Sequence, residues 1–156
     1  MRRNDREITD EAAIERFISG QQIMRIGFYD DGEVYIVPVN YGYERTNGEY
    51  VFYFHGAKAG RKYELAKTKP CVGFEIDGAY ALLPADKACG YSARFQSVIG
   101  NGVLSLADGE DEKIAGLDRL MLQLTGKGGH EYSKARLNAV AVFKLEVKKL
   151  SCKAKQ

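Results

Sequence analysis

An eight-residue segment in the first half of the chain combines small residues with two adjacent cations. It reads His55-Gly56-Ala57-Lys58-Ala59-Gly60-Arg61-Lys62 and follows an apolar, strand-like run. Small residues let the backbone approach a ligand closely, and a helix that begins here would present free backbone N–H groups. Together with the charges of Arg61 and Lys62, these groups would suit a phosphate monoester. The alternative is a solvated helix start with two surface cations, and the glycine and lysine spacing does not fit a P-loop.

A second segment, Ile36-Val37-Pro38-Val39-Asn40-Tyr41-Gly42-Tyr43, has a proline inside a strand pattern. Pro38 has no N–H for a sheet hydrogen bond, so the strand is expected at a sheet edge or where a ligand replaces a neighbouring strand. A flat aromatic cofactor could lie against this backbone, with the Asn40 amide at its rim. The alternative is an ordinary edge strand.

The sequence alone does not decide the roles of four polar residues, Gln96, Ser97, His55 and His130. Gln96 and Ser97 lie between apolar neighbours, where they would either hydrogen-bond a ligand or face solvent at a strand bend. His55 ends an aromatic strand, and a lone histidine there is more often structural than catalytic. His130 follows two glycines and is predicted to lie in a loop.

Several classes of chemistry find no support in the sequence. The chain has no Gly-x-Ser-x-Gly elbow, and no cysteine has an obvious histidine partner, which disfavours hydrolysis. Three widely spaced cysteines and two histidines give neither a disulfide framework nor a metal site. We therefore expect no metal.

Length and charge indicate one soluble domain, residues 1–156. A net charge of +2 without a basic stripe argues against a nucleic-acid partner. No apolar run is long enough to span a bilayer, and the charged N-terminus has no apolar core behind it. The sequence therefore predicts a cytoplasmic protein with no membrane contact, and a solvated tail for the lysines after residue 147.

Hydrophobic periodicity predicts a mainly β fold with helices. Alternating patterns predict six strands, and 3.6-residue patterns with capping signals predict three helices. Strands dominate and never alternate strictly with helices, so a barrel or sandwich is expected rather than a Rossmann sheet. The first three strands are expected to be adjacent and antiparallel. The predicted strands are 24–28, 33–43, 50–55, 71–77, 91–106 (with bulges at Gly100 and Gly102) and 139–148; the predicted helices are 11–19, 59–68 and 110–124.

The motifs taken together resemble the pyridoxamine-5′-phosphate-oxidase-like flavoproteins, and most closely their nitroimidazole-resistance branch. The resemblance rests on their order and spacing and covers roughly residues 5–150. Its motifs are Arg25-Ile26-Gly27-Phe28, residues 36–41, residues 53–62, Cys71-Val72-Gly73-Phe74-Glu75-Ile76-Asp77, Ser97-Val98-Ile99-Gly100-Asn101-Gly102 and Leu120-Met121-Leu122-Gln123-Leu124-Thr125-Gly126.

This resemblance implies a six-stranded antiparallel split barrel that forms a homodimer, with FMN bound at the subunit interface. Arg61 and Lys62 match the phosphate-binding pair, and His55 matches a histidine near the flavin. A C-terminal Arg-x-His pattern for pyridoxal phosphate is missing, which argues against vitamin B6 oxidation. The implied cofactor-binding residues are Val37, Pro38, Val39, Asn40, Tyr41, His55, Gly56, Ala57, Gly60, Arg61, Lys62, Gln96, Ser97 and Val98.

Three hypotheses for function follow from these observations. The first is an FMN-dependent oxidoreductase of a small aromatic or nitro compound, with His55 as proton donor. The second is a non-catalytic flavin or haem binder, such as a carrier or sensor. The third is an interaction module whose tyrosine-rich barrel binds another protein. The absorption spectrum of a bound cofactor and a test of its turnover discriminate between the three hypotheses.

Overall fold

The computed structural model describes residues 4–155, in which β-strands predominate. Two short 3-10 helices, at Asn4–Arg6 and Ala88–Gly90, complete the regular structure. The strands are β1 (Glu7–Ile8), β2 (Ile23–Asp30), β3 (Glu33–Asn40), β4 (Gly42–Thr46), β5 (Glu49–Ala57), β6 (Cys71–Leu83), β7 (Ser92–Leu106) and β8 (Val140–Lys155), and the helices are α1 (Glu11–Ser19), α2 (Arg61–Lys67), α3 (Gly109–Thr125) and α4 (Lys134–Ala139).

One antiparallel sheet contains all of these strands, in the order β3-β2-β6-β7-β8-β5-β4, with β1 paired to the end of β8. Only Tyr41 separates β3 from β4, although the two strands lie at opposite ends of this order. The sheet must therefore curl until its two edges come together, and within residues 4–155 those edges do not pair. This is a barrel split along one side, and the predicted fold class, a mainly β split barrel with helices, is confirmed.

The predicted strand over residues 33–43 is wrong, because the chain leaves β3 at Tyr41. The Tyr41 ring is fully buried, and its hydroxyl donates to the Ile18 carbonyl over 2.7 Å. At Gly42 an added Cβ would lie 2.2 Å from the backbone of Arg119 in α3, so the helix passes directly against the chain. β3 therefore pairs with β2 and β4 with β5, and the first strands are not all adjacent. With β1, this break makes eight strands rather than six.

Alternating apolar residues form the core that the sequence predicts. The inward faces of β2 and β6 are buried, and aromatic rings from β5 and β8 fill the barrel beside them. The rings of Phe54 and Phe143 stack with their centroids 4.7 Å apart, and the ring centroids of Phe52 and Phe74 are 5.3 Å apart. Burying each such side chain contributes about 1.5–3 kcal/mol. The predicted inward residues that are buried in these two strands are Met24, Ile26, Phe28, Val72, Phe74 and Ile76.

Of the two bulges predicted in β7, the one at Gly100 is not found, and the ladder with β8 has a single irregularity beside Gly102. Asn101 pairs with Lys149 and Gly102 with Val147, so Lys148 is the extra residue of a bulge in β8. A Cβ at Gly102 would lie 2.2 Å from the Glu146 carbonyl oxygen, so only glycine fits here without a shift. After the bulge β8 continues to Lys155, paired with β7. The predicted strand end at residue 148 and the solvated lysine tail are therefore wrong.

The helices lie close to their predicted positions. Asp10 caps α1 by accepting from the Ala12 N–H, and α3 ends at Gly126, as predicted. α2 is shorter than predicted because Gly60, with φ +91°, is not helical. The six-residue helix α4 was not predicted. Over residues 4–155, every helix is too short or too polar to cross a bilayer.

Candidate functional site

The turn that follows β5 holds most of the predicted ligand-binding residues. β5 ends at Ala57, and α2 begins at Arg61 after the exposed residues 58–60. The Gly60 carbonyl accepts from the Tyr63 and Glu64 N–H groups at 3.0 and 3.1 Å, which closes the first turn of α2. No atom lies within 4 Å of a Cβ added at Gly60. Arg61 and Lys62 therefore stand at an open helix start, next to the end of a core strand.

Arg61 is already paired with carboxylates. Its Nε donates to Asp30 over 2.6 Å, and Nη2 lies 3.4 Å from Glu33, both at the β2–β3 turn. The guanidinium carbon lies 4.8 Å from the centre of the Tyr35 ring. These bonds to Asp30 and Glu33 raise the pKa of Arg61, and they leave the Nη1 donors for a ligand. These partners could not be predicted from the sequence pattern, because they come from the preceding hairpin.

Lys62 lies in a different environment from Arg61. Its Nζ lies 5.4 Å from the ring centre of Phe54 and 5.1 Å from that of Phe143, on the core side of β5. A Cβ added at Gly56 would lie 3.3 Å from the same Nζ, so the missing side chain at this position leaves room for the ammonium. Burial lowers the pKa of Lys62, and within residues 4–155 no carboxylate pairs with it. This partly buried cation lacks a counter-ion, which fits a site for an anionic group such as a phosphate.

His55 lies on the opposite side of β5 from Lys62. Side chains alternate along a strand, and His55 is exposed whereas Phe54 is buried. Its partner across the ladder is Val142 of β8. The imidazole has no hydrogen-bond partner in the part of the chain that the structure describes. It is therefore free to contact a ligand at the outer side of the strand end.

The predicted residues of β3 divide between two faces. Val37 and Val39 are partly buried against the core, whereas Pro38 and Asn40 are exposed. β3 is an edge strand of the sheet, which confirms the position inferred from Pro38. The Asn40 side-chain amide donates to the Gln22 carbonyl over 2.9 Å, which leaves its oxygen available. Tyr41 is buried, so its ring belongs to the core.

The predicted segment on β7 lies apart from the turn at residues 55–62. Gln96 donates to the Cys152 sulfur over 3.7 Å, and Val98 is fully buried in the core. Ser97 points to the other side, beside Asp77 and Lys153 on the outer face of the sheet. Within residues 4–155 no hydrogen bond or ion pair joins this segment to the turn.

One pair of residues near the turn was missed by sequence reasoning. Lys58 and Lys113 of α3 line the same cavity of about 150 Å³. Burial lowers the pKa of Lys113, and the neighbouring charge of Lys58 lowers it further, against the opposite effect of Glu110. No signal in the sequence brings these positions together, because the packing of α3 on β5 and β8 decides it. Within residues 4–155 no group of three or more His, Cys, Asp or Glu side chains is arranged to hold a metal ion.

Solved structures similar to this chain share the split barrel. A protein of Bacteroides thetaiotaomicron, provisionally described as a 5-nitroimidazole antibiotic resistance protein, is 28% identical with a TM-score of 0.80, and covers 96% of this chain and 90% of its own. The flavocytochrome Anf3 of Azotobacter vinelandii is 19% identical with a TM-score of 0.82, over 100% of this chain and 72% of its own. An FAD and heme binding protein of Mycobacterium smegmatis is 16% identical with a TM-score of 0.79, over 97% and 74%.

Sequence comparison assigns the family directly. Among curated proteins none matches this chain. The sequence profile of the pyridoxamine 5′-phosphate oxidase family, however, matches residues 10–154, from the cap of α1 almost to the end of β8. The match therefore includes the edge strand β3, the turn at residues 55–62 and the segment at residues 96–98. This chain belongs to the pyridoxamine 5′-phosphate oxidase family.

Proposed function

We propose that this protein is an FMN-dependent oxidoreductase that acts on a small aromatic or nitro compound. The observation that carries the proposal is the Lys62 ammonium, which is partly buried and has no counter-ion within residues 4–155. It lies in the first turn of α2 beside Arg61, in a family whose structural neighbours include FAD-binding proteins. A phosphate monoester supplies the missing negative charge, which favours FMN as the flavin.

Each residue of the turn has a defined role in this proposal. Lys62 and the free Nη1 donors of Arg61 bind the phosphate, while the open backbone at Gly60 leaves space for it. The exposed edge of β3 at Pro38 and Asn40 lies along the ring system. His55 holds a proton at the outer end of β5, where it can be given to a reduced substrate. Bound FMN supplies the transfer of a hydride or of two electrons.

The absorption spectrum with and without added FMN is the first test. We expect oxidised-flavin bands near about 375 and 450 nm and one FMN per chain. The double variant Arg61→Ala/Lys62→Ala should lose FMN affinity, whereas Lys67→Ala, whose lysine pairs with Glu64 at the far end of α2, should keep it. Tighter binding of FAD than of FMN would correct the cofactor. No binding of any flavin, or a Soret band from bound haem, would overturn the proposal.

Turnover separates an enzyme from a flavin carrier. The flavin-loaded protein is mixed with NADH or NADPH, and then with a nitroimidazole, while the flavin band at about 450 nm is followed. Bleaching by the nucleotide and recovery with the nitro compound support the oxidoreductase. Flavin that neither nucleotide can reduce, alone or with a reductase, would favour the non-catalytic binder. His55→Ala should slow recovery and leave FMN affinity close to that of the wild type.

We also propose that the protein is a homodimer with the flavin between the subunits. The outer face of β2 and β3 exposes large apolar side chains, with Tyr29 75%, Val34 71% and Ile36 60% exposed. Tyr29 and Val34 are ladder partners, and Ile36 lies opposite Gly27, so these groups share one continuous face. Such a patch supports a protein interface. Ser97 lies on the outer face of the same sheet, which is where it could reach a flavin held by a second subunit.

Light scattering coupled to size exclusion measures the assembly. The molar mass measured for the wild type should be twice that of one chain. The Ile36→Glu variant should have a mass closer to that of a monomer and should bind FMN more weakly. Leu122→Glu is the matched control, because it also replaces an exposed apolar residue with glutamate, but on α3; this variant should stay dimeric. A wild-type monomer that binds FMN fully would refute the shared site.

A further inference from the structure

Two lysines from distant parts of the chain meet at one small cavity. Lys58 lies in the turn after β5, and Lys113 lies near the start of α3. The cavity has a volume of about 150 Å³. Apart from the two ammonium-bearing side chains, apolar residues and one tyrosine form its walls, namely Tyr63, Leu106, Ala107, Ala141 and Val142.

Lys58 is exposed and Lys113 is half-buried, and both lack a counter-ion among the described residues. Within the described chain neither forms an ion pair, and the contact of Lys113 with a neutral acceptor is long, at 3.5 Å from Nζ to the Leu137 carbonyl oxygen. The charge of Lys58 disfavours the charged form of Lys113, against the opposite effect of Glu110. The burial and the Lys58 charge that lower the pKa of Lys113 reflect the same crowding. An anion between the two ammonium groups would remove the repulsion and give both lysines a partner.

The cavity is next to His55. Val142, which forms part of its wall, is the ladder partner of His55 across β5 and β8. Cross-strand partners lie on the same face of a sheet, so the His55 side chain lies on the same face of the sheet as this wall residue. Arg61, in contrast, is directed to Asp30 and Glu33 at the β2–β3 turn. The two lysines therefore form a group of cations that differs from the Arg61 site.

We infer that Lys58 and Lys113 form an oxyanion subsite beside His55, which binds a carboxylate or phosphate group of a ligand. The volume is below the several hundred Å³ of pockets for whole drug-sized ligands, so the cavity holds only the anionic end. The apolar walls suit a short hydrocarbon stem, and the rest of the ligand extends past the imidazole. This inference rests on the proposed function and deepens it, because the site would take an anionic group of the substrate where the flavin phosphate is held at Lys62.

Inorganic phosphate titrated into the protein of residues 1–156 tests the subsite without any flavin. Backbone NMR signals of residues 106–113 and 141–142 should shift on titration, at millimolar phosphate or below. In Lys58→Met and in Lys113→Met the phosphate affinity at these signals should fall about tenfold, as expected for one lost charge-assisted contact. Lys67→Met is the matched control and should bind phosphate as the wild type does. Arg61→Ala should keep the shifts at these residues, because the Arg61 side chain is directed to Asp30 and Glu33.

The source of the anion is decided by binding FMN and riboflavin to the same variants. A loss of FMN affinity with unchanged riboflavin affinity would identify the flavin phosphate as the occupant. Unchanged FMN affinity, with weaker binding of phosphate or of a small carboxylate such as benzoate to the FMN-loaded protein, would identify a substrate anion. Phosphate shifts that persist in both lysine variants, or that vanish equally in Lys67→Met, would overturn the subsite. A wild type that binds no flavin defeats the proposed function but leaves this titration readable.

Discussion

Replacing Lys62 with methionine should weaken FMN binding and stabilise the flavin-free protein at neutral pH. Methionine keeps a long, flexible side chain against the rings of Phe54 and Phe143 but removes the charge. In the folded chain this charge is partly buried and has no carboxylate partner within residues 4–155. It therefore has no favourable counter-ion until an anion arrives, so its removal has opposite effects on binding and on folding.

The expected loss of affinity follows from the contact that disappears. A hydrogen bond to a charged group contributes about 1.5–3 kcal/mol, so FMN should bind about 10- to 150-fold more weakly. Riboflavin lacks the phosphate, and its Kd should stay within about twofold of the wild-type value. Quenching of flavin fluorescence on titration with protein measures both constants.

The effect on stability depends on pH in a defined direction. Because burial lowers the pKa of Lys62, the unfolded chain holds this proton more tightly than the folded one. The resulting destabilisation is complete below the folded-state pKa and disappears as pH rises through the ordinary lysine value of 10.5. Lys62→Met should therefore have the larger free energy of unfolding at pH 7, and this advantage should shrink in alkaline solution. Urea denaturation at both pH values measures it.

Lys67→Met provides the control, because Lys67 lies on the same helix and pairs with Glu64. It should leave the affinities for FMN and for riboflavin unchanged. FMN affinity that survives Lys62→Met, or an equal loss of FMN and riboflavin affinity, would refute the phosphate assignment. A lower free energy of unfolding at pH 7 would refute the argument from the unpaired charge.

Two further substitutions test the packing around the barrel. The buried Tyr50 hydroxyl has no partner within residues 4–155, and burial raises the pKa of Tyr50 to about 12. Because the pKa of Tyr50 is raised in the folded protein, the folded state loses stability relative to the unfolded state as pH rises from 10 through about 12. Tyr50→Phe should therefore leave the free energy of unfolding at pH 7 almost unchanged and should lessen the alkaline loss seen in urea denaturation. An equally steep alkaline decline in the variant would contradict this. Gly102→Ala should lower the free energy of unfolding by about 1–3 kcal/mol, because its Cβ would meet the Glu146 carbonyl oxygen at 2.2 Å. Gly20→Ala, whose nearest contact is 3.4 Å, should be neutral or stabilising, and equal loss in both would show that packing at Gly102 is not the cause.

The faces of the strands could be predicted from the sequence because local alternation determines them. The odd and even positions of β2 and β6 differ so clearly in polarity that Ile26 and Phe74 could only point inwards. The break at Tyr41 could not be predicted in this way. The apolar alternation continues unchanged through it, and the chain turns there because α3, which lies far away in the sequence, packs against Gly42.

The charged residues of the site were likewise predictable from the sequence only in part. The sequence identifies Arg61 and Lys62 as adjacent cations at a helix start, which the structure confirms. It does not show that carboxylates pair with Arg61 while Lys62 stays unpaired, or that Lys58 meets Lys113. These differences depend on which elements fold against the turn. Residue type therefore predicts the kind of ligand, whereas the tertiary structure decides which cation is available to bind it.

The alternation of β5 also restricts how one ligand could use the whole turn. Gly56 and Lys62 lie on the core side of the strand, whereas His55 faces outwards next to Val142. No ligand can therefore contact the Lys62 ammonium and the imidazole along a single face of β5. A ligand held at Lys62 can reach His55 around the end of β5 at Ala57, where the chain continues into Lys58. The proposed function therefore predicts that a substrate approaches from the side of α3, so changes in the first turns of α3 should alter the KM for a nitro compound before they alter the Kd for FMN.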